Sequence, residues 1–372
     1  MLVMANVASH RVPGRRWLVI AACIVAAVVG IGAAAPTEEY TVEMGPFDLP
    51  AHSGHHGVRQ PKPLALALPV DGWMRGLSYE IVDAQGEKLP NSLLHHLNLI
   101  APDYRELFSD IMLRVGAFGA ETKPYGVPFF LGYRIHPGDS LLVTAMLHNP
   151  TGQPISGARL RVQLELSPAK PWVRPVAVRP VYLDVMPPAG SHAFDLPPGR
   201  STKSWEGRPA VAARLLAAGT HMHQYGTALR LEDVTAGKLL WEARPDTGSK
   251  GELVGMPKKY FLPFGVPLHP DHVYRLTAEY DNPTGQVLAD GGMGALGGIV
   301  IPASDDDWPA VARQDSVYQH DVRVTTGEGA PHQMGPAQMD HDQMNHGQMG
   351  HDQMGPEQMQ HEHGSDAAGH QH

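Results

Sequence analysis

Thr220-His221-Met222-His223-Gln224-Tyr225-Gly226, followed by Thr227-Ala228-Leu229-Arg230-Leu231-Glu232 and the turn-like Thr235-Ala236-Gly237-Lys238, reads as strand, turn, strand. From Thr227 to Glu232 apolar and polar residues alternate, the period of a chain that buries one face of a sheet. Successive side chains of an extended segment point to opposite faces, so His221 and His223 project from one face, one pleat apart. A helix would point them away from each other. The pair is either two polar groups on a solvated strand or two imidazoles placed to share a metal ion, and the rest of the chain decides between these.

Outward from that stretch, 40 Gly and 34 Pro in 372 residues leave little room for long helices and favour short strands with many turns. The length suggests more than one domain, and a hydrophobic fraction of 42% supplies packed cores. A net charge of -9 argues against a nucleic-acid partner. The expected fold is all-β: two tandem antiparallel β-sandwich (jelly-roll-like) domains with a disordered C-terminal tail. Twenty-two His and 16 Met beside a single Cys set this composition apart.

Arg11, Arg15 and Arg16 precede the apolar run from Trp17 to Ala35, which closes on small residues before Pro36. That pattern describes a secretory signal over residues 1–35, and hence an exported, periplasmic or extracellular protein. Cleavage leaves no stable membrane span; an uncleaved run of about 19 residues is the alternative, a membrane anchor. Cys23 leaves with the signal, so the mature chain is disulfide-free.

Short strands follow, among them Tyr40-Thr41-Val42-Glu43-Met44, Leu77 to Val82, Leu93 to Leu99, Ser140 to His148 and Arg159 to Leu166. Thr144 to Gln153 matches Thr277 to Gln286 at an offset of 133, with Thr-Ala and Asn-Pro-Thr-Gly-Gln giving seven identities in ten. A repeated strand-and-turn unit at domain spacing predicts duplicated sandwiches. The expected boundaries are 36–174 and 175–303, with a fresh strand from Val176 to Val185. Residues 304–372 are expected to be tail. Within it Met334, Met339, Met344, Met349, Met354 and Met359 recur every five residues, each after Gln, among His341, His346, His351 and others. Such a segment has too little apolar surface to offset chain entropy.

The candidate ligands are His95, His96, His148, His221, His223 and Met293 in Gly291-Gly292-Met293-Gly294. Imidazole suits copper, nickel and zinc, and a thioether suits Cu(I), so two His and one Met fit a copper ion that changes oxidation state. Adjacent His95 and His96 would point to opposite faces of a regular strand, which by itself makes one a ligand and the other an outward neighbour. His52, His55 and His56 form a weaker, separate group.

In order and context these residues resemble the copper type II, ascorbate-dependent monooxygenases, the family of peptidylglycine α-hydroxylating monooxygenase and dopamine β-monooxygenase. The similarity spans roughly residues 75 to 300: His-His, a strand-end His, His-x-His, then Met, with Pro197-Pro198-Gly199 before the His-x-His strand. The resemblance implies two β-sandwich domains facing each other across a cleft, each holding one copper ion. By it, His95, His96 and His148 hold the electron-supplying copper, and His221, His223 and Met293 hold the oxygen-binding copper. Two features depart from the family. Gly219 stands where its amidating members carry a carboxylate-gripping Arg, and Gly294-Ala295-Leu296-Gly297 stands where they have Asn and Tyr.

The resulting expectation is an exported two-copper monooxygenase that hydroxylates a C–H bond of a small substrate with O2 and ascorbate or another reductant. Its rival is a copper-binding, storage or delivery protein that exchanges metal with copper donors and acceptors. The Met and His repeats of the tail, as a set of weaker copper ligands, fit both.

Overall fold

The computed structural model describes residues 37–54, 57–170, 174–249, 253–305 and 307–327. The signal segment, His55 and His56, and the tail Met and His residues named above lie outside the described residues. Among the described residues no helix is long and apolar enough to cross a membrane.

The first sandwich is built from β1 (Glu38–Leu49), β2 (Leu64–Ala67), β3 (Gly72–Val82), β4 (Leu94–Arg105), β5 (Met112–Phe118), β6 (Tyr125–Gly126), β7 (Leu131–Ile135), β8 (Ser140–Leu147) and β9 (Ile155–Pro168). One sheet runs β1-β9-β3-β7, with β6 also on β3, and the other runs β2-β8-β4-β5. Their pairs are antiparallel. Along β9, Ala158, Leu160, Val162, Leu164 and Leu166 alternate inward and are buried, the period-2 pattern of one covered face. Each fully buried Leu or Ile contributes about 1.5–3 kcal/mol relative to exposure.

A two-residue strand, β10 (Val176–Ala177), adds to β7 in parallel before the chain enters the second sandwich. That sandwich comprises β11 (Arg179–Asp184), β12 (Phe194–Leu196), β13 (Gly199–Gly207), β14 (Ala213–Met222), β15 (Gly226–Asp233), β16 (Lys238–Ala243), β17 (Asp246–Thr247), β18 (Leu253–Gly255), β19 (Lys258–Tyr260), β20 (Val266–Leu268), β21 (Tyr274–Asn282), β22 (Leu288–Gly292) and β23 (Gly294–Pro302). Its main sheets run β11-β23-β14-β19, with β20 also on β14, and β13-β21-β15-β16. The expected strand from Val176 to Val185 is therefore two strands in different sheets. The chain crosses from one sandwich to the other at Val178, not at Pro175, because Val176 and Ala177 pair with Leu131 and Gly132.

Laid side by side, the sandwiches have one connectivity. The trio β1-β9-β3 of the first corresponds to β11-β23-β14 of the second, and β2-β8-β4-β5 corresponds to β13-β21-β15-β16. The ten-residue repeat ends β8 in one copy and β21 in the other. Its turn is held the same way in both: Asn149 Oδ1 accepts from the Thr151 amide at 3.0 Å and from its hydroxyl at 2.6 Å, and Nδ2 donates to Gln153 O at 2.8 Å. Asn282 repeats these bonds to Thr284 and Gln286 at 3.0, 2.7 and 2.8 Å.

Residues 307–327, expected to be part of the disordered tail, are ordered. Asp315 caps α1 (Ser316–Thr326) by accepting from the amides of Val317 and Tyr318, and Gly327 ends it with φ 74°. This helix returns to the first sandwich, where Asp321 forms a two-pronged ion pair with Arg114 of β5 at 2.5 and 2.7 Å. Tyr318 is buried beside it and donates to Pro102 O at 2.8 Å. One turn apart, Tyr318 and Val322 pack with Ile100, Met112 and Leu142 beside that ion pair.

The two sandwiches interlock. Leu107 and Phe108, from the β4–β5 connection, are buried in the second core, with Phe108 edge-on to Tyr274. Glu106 is fully buried and spans the junction, accepting from the Arg114 amide at 2.6 Å and from the Tyr182 amide of β11 at 3.0 Å.

Candidate metal centre

His95 and His96 open β4, where the pairing with β8 slips: Leu94 faces Leu147 and His96 faces the adjacent Met146. His95 is thus the extra residue of a β-bulge. A bulge re-aims side chains that a regular strand would send to opposite faces, and the two imidazole centroids are 4.3 Å apart. His148 follows the end of β8, its amide bonded to Leu93 O at 3.1 Å, and its ring lies 5.4 Å from that of His95.

In the second sandwich His221 is the penultimate residue of β14. His223 lies just past the strand, in a turn closed by Gly226 N to His223 O at 3.2 Å. Tyr225 adopts φ 70° to make that turn, and Gln224 accepts from the Leu253 amide at 3.0 Å. The rings of His221 and His223 are 5.4 Å apart, so the pair stays on one side although the strand ends between them.

The structure brings the two sets together. His95 and His96 lie 5.5 and 5.6 Å from His223, and His96 lies 5.1 Å from His221, ring centre to ring centre. One ligand atom from each of His95, His96 and His223 falls within 4.8 Å of the others. Against the expectation of two separate centres across a cleft, His95 and His96 of the first set lie directly against His221 and His223 of the second.

Met293 sits between β22 and β23 and is buried. Its backbone is placed beside His223 by Tyr280, whose hydroxyl donates to Met293 O and accepts from the amides of Met293 at 2.9 Å and His223 at 3.1 Å. Burial, above all, pushes the Tyr280 phenol up to about 12, so it keeps its proton.

Burial pushes the pKa of His96 well below its ordinary value, and the neighbouring His221, His95 and His223 push it the same way. Burial also lowers that of His148. These imidazoles are held neutral, the form that offers a lone pair to a metal ion. Glu121, on the connection between β5 and β6, is half of a partly buried pair: its Oε1 meets His221 Nδ1 at 2.5 Å. Burial works to raise the Glu121 pKa, but the hydrogen bond to His221 works against it, and the net direction is down. The other nitrogen of His221, Nε2, is buried and has no hydrogen-bond partner.

The donor set fits a metal such as copper: clustered imidazoles, His96 and His148 among them held neutral by burial, and His221 with one nitrogen on a carboxylate and the other left unsatisfied. Sequence reasoning missed Glu121 and Tyr280. It also missed Asp184, which accepts from Tyr182 at 2.5 Å and holds His192 Nδ1 at 3.0 Å. Only Tyr280 had a signal, as the residue of the repeat that replaces Leu147.

No family model matches the chain, and no curated protein matches it. Among solved structures, the chain is similar to the major capsid protein P2 of bacteriophage PM2, at 10% identity and TM-score 0.34 over 72% of this chain and 99% of that one. It is also similar to the Sulfolobus turreted icosahedral virus structure, at 10% identity and TM-score 0.19 over 71% and 59%.

Proposed function

We propose that the junction of the two sandwiches is a copper centre, and that the protein is a copper-dependent monooxygenase using O2 and a reductant such as ascorbate on a C–H bond of a small substrate. The supporting observation is the convergence of His95, His96 and His223 from opposite sandwiches, with His148 and His221 alongside, in a chain whose ligand order resembles that enzyme family. His95, His96, His148, His221 and His223 would hold copper, with Met293 as the thioether candidate. Bound copper supplies one-electron chemistry toward O2 and a C–H bond.

The chain's own residues do the rest. Burial keeps His96 and His148 deprotonated and ready to bind. Glu121 keeps the proton of His221 on Nδ1, and Tyr280 fixes the backbones of His223 and Met293 relative to each other. One observation favours the rival, a copper-holding protein: with rings of the two ligand sets only 5.1–5.6 Å apart, the cluster leaves no room between the sets for an organic substrate.

The test is copper loading of the full chain, removal of loosely held metal with a chelator, and measurement of ascorbate-dependent oxygen uptake in wild type and His223→Ala. Uptake that disappears in His223→Ala supports the monooxygenase. Retained copper without uptake supports the holder. Equal copper retention in both proteins would overturn the centre itself.

A further inference from the structure

We propose that Glu121, a residue of the first sandwich, is the positioning residue for His221, a ligand supplied by the second. This rests on the copper-centre reading. The two residues are 100 positions apart, yet their 2.5 Å contact is nearly enclosed, with side-chain exposures of 11% for Glu121 and 18% for His221. A carboxylate only accepts hydrogen bonds, so His221 must carry its proton on Nδ1. Nε2 then presents a lone pair, and this is the buried atom that has no partner. An imidazole pinned by a carboxylate on one nitrogen and left unsatisfied on the other is the arrangement that orients metal-binding histidines and raises their basicity.

The Glu121 loop is built to hold this position. Gly119 N donates to Thr122 Oγ1 at 3.0 Å, and Thr122 N donates to Gly119 O at 3.1 Å, closing the turn around Glu121. From the other side, Lys258 of β19 reaches across and donates to Lys123 O at 3.1 Å. β19 pairs with β14 at Ala217 to Gly219, just before His221 on the same strand. The second sandwich thus holds the Glu121 loop of the first within a few residues of the contact, and the carboxylate meets the imidazole without either side chain having to search for it. The orientation of a ligand in one copy of the duplicated fold is set by a residue of the other copy.

The experiment uses the full chain as wild type, Glu121→Gln, Glu121→Ala and His221→Ala. Copper affinity is measured by competition with a chelator of known affinity, and the Cu(II) electron paramagnetic resonance spectrum is recorded for each. The Met and His repeats are common to all four proteins, so the class of copper lost in His221→Ala marks the folded site. Glu121→Ala is expected to weaken that class about 10–100-fold. Glu121→Gln keeps an acceptor for the Nδ1 proton but not the charge, and is expected to recover most of the affinity with a shifted Cu(II) spectrum. A merely structural contact would not move that spectrum. If wild type and Glu121→Gln give identical spectra, and Glu121→Ala binds as tightly as wild type while His221→Ala loses the class, the positioning role is overturned and the copper centre stands. If His221→Ala loses no copper, the assignment of His221 as a ligand fails and the proposal fails with it.

Discussion

At the scale of single residues, Tyr280 shows how one hydroxyl organises two chain segments. It meets three backbone groups, the amides of His223 and Met293 and the carbonyl of Met293, at a site closed to water. Tyr280→Phe preserves the ring and strands those groups, which should cost about 1–3 kcal/mol, read as a lower urea midpoint. The position was visible as a difference between the two repeats; its role was not, because a sequence does not show which carbonyl a phenol reaches. The same limit explains His95 and His96. Period-2 reasoning sends neighbouring side chains to opposite faces, and only the slipped pairing with Leu147 and Met146 turns both to one side. Glu121 carried no signal, being an acidic loop residue whose partner lies 100 positions away.

Among the elements, the paired turns after β8 and β21 make a direct comparison. Asn149 and Asn282 are both buried, and each ties its turn through the same three bonds to the Thr and Gln that follow. Asn149→Ala and Asn282→Ala should each destabilise by about 1–3 kcal/mol. In the double variant the losses should add within about 0.3–0.5 kcal/mol, since the turns belong to different cores. Chemical unfolding of the four proteins checks this, and strong non-additivity would mean that the turns are coupled. These strands were legible because alternation survives burial on one face. Helix α1 was not, since its packed face carries only Tyr318 and Val322 beside the buried carboxylate of Asp321, too short a stripe to stand out in the sequence.

At the scale of the whole molecule, Glu106 ties both sandwiches to one buried carboxyl group. Burial pushes it up to about 8, against the opposing pull of the Arg114 amide and guanidinium. The folded state therefore keeps a proton that the unfolded chain, with an ordinary carboxyl, releases. Stability from this group is greatest below the ordinary carboxyl range and declines as pH rises toward and through about 8. Urea midpoints measured from acidic to mildly alkaline pH should fall on the alkaline side, and Glu106→Gln should flatten that slope. An unchanged slope in the variant would assign the pH dependence elsewhere.

The route of the chain also imposes a timetable on its synthesis. Arg114 is buried in the first sandwich, but its carboxylate partner lies 207 residues later, beyond the whole second sandwich. At ordinary translation rates that gap lasts roughly 10–40 s, during which the Arg114 guanidinium is without its Asp321 partner. The first sandwich is therefore begun first and finished last. His95 and His96 are made long before His221 and His223, and the centre they form together is assembled on a nearly complete chain.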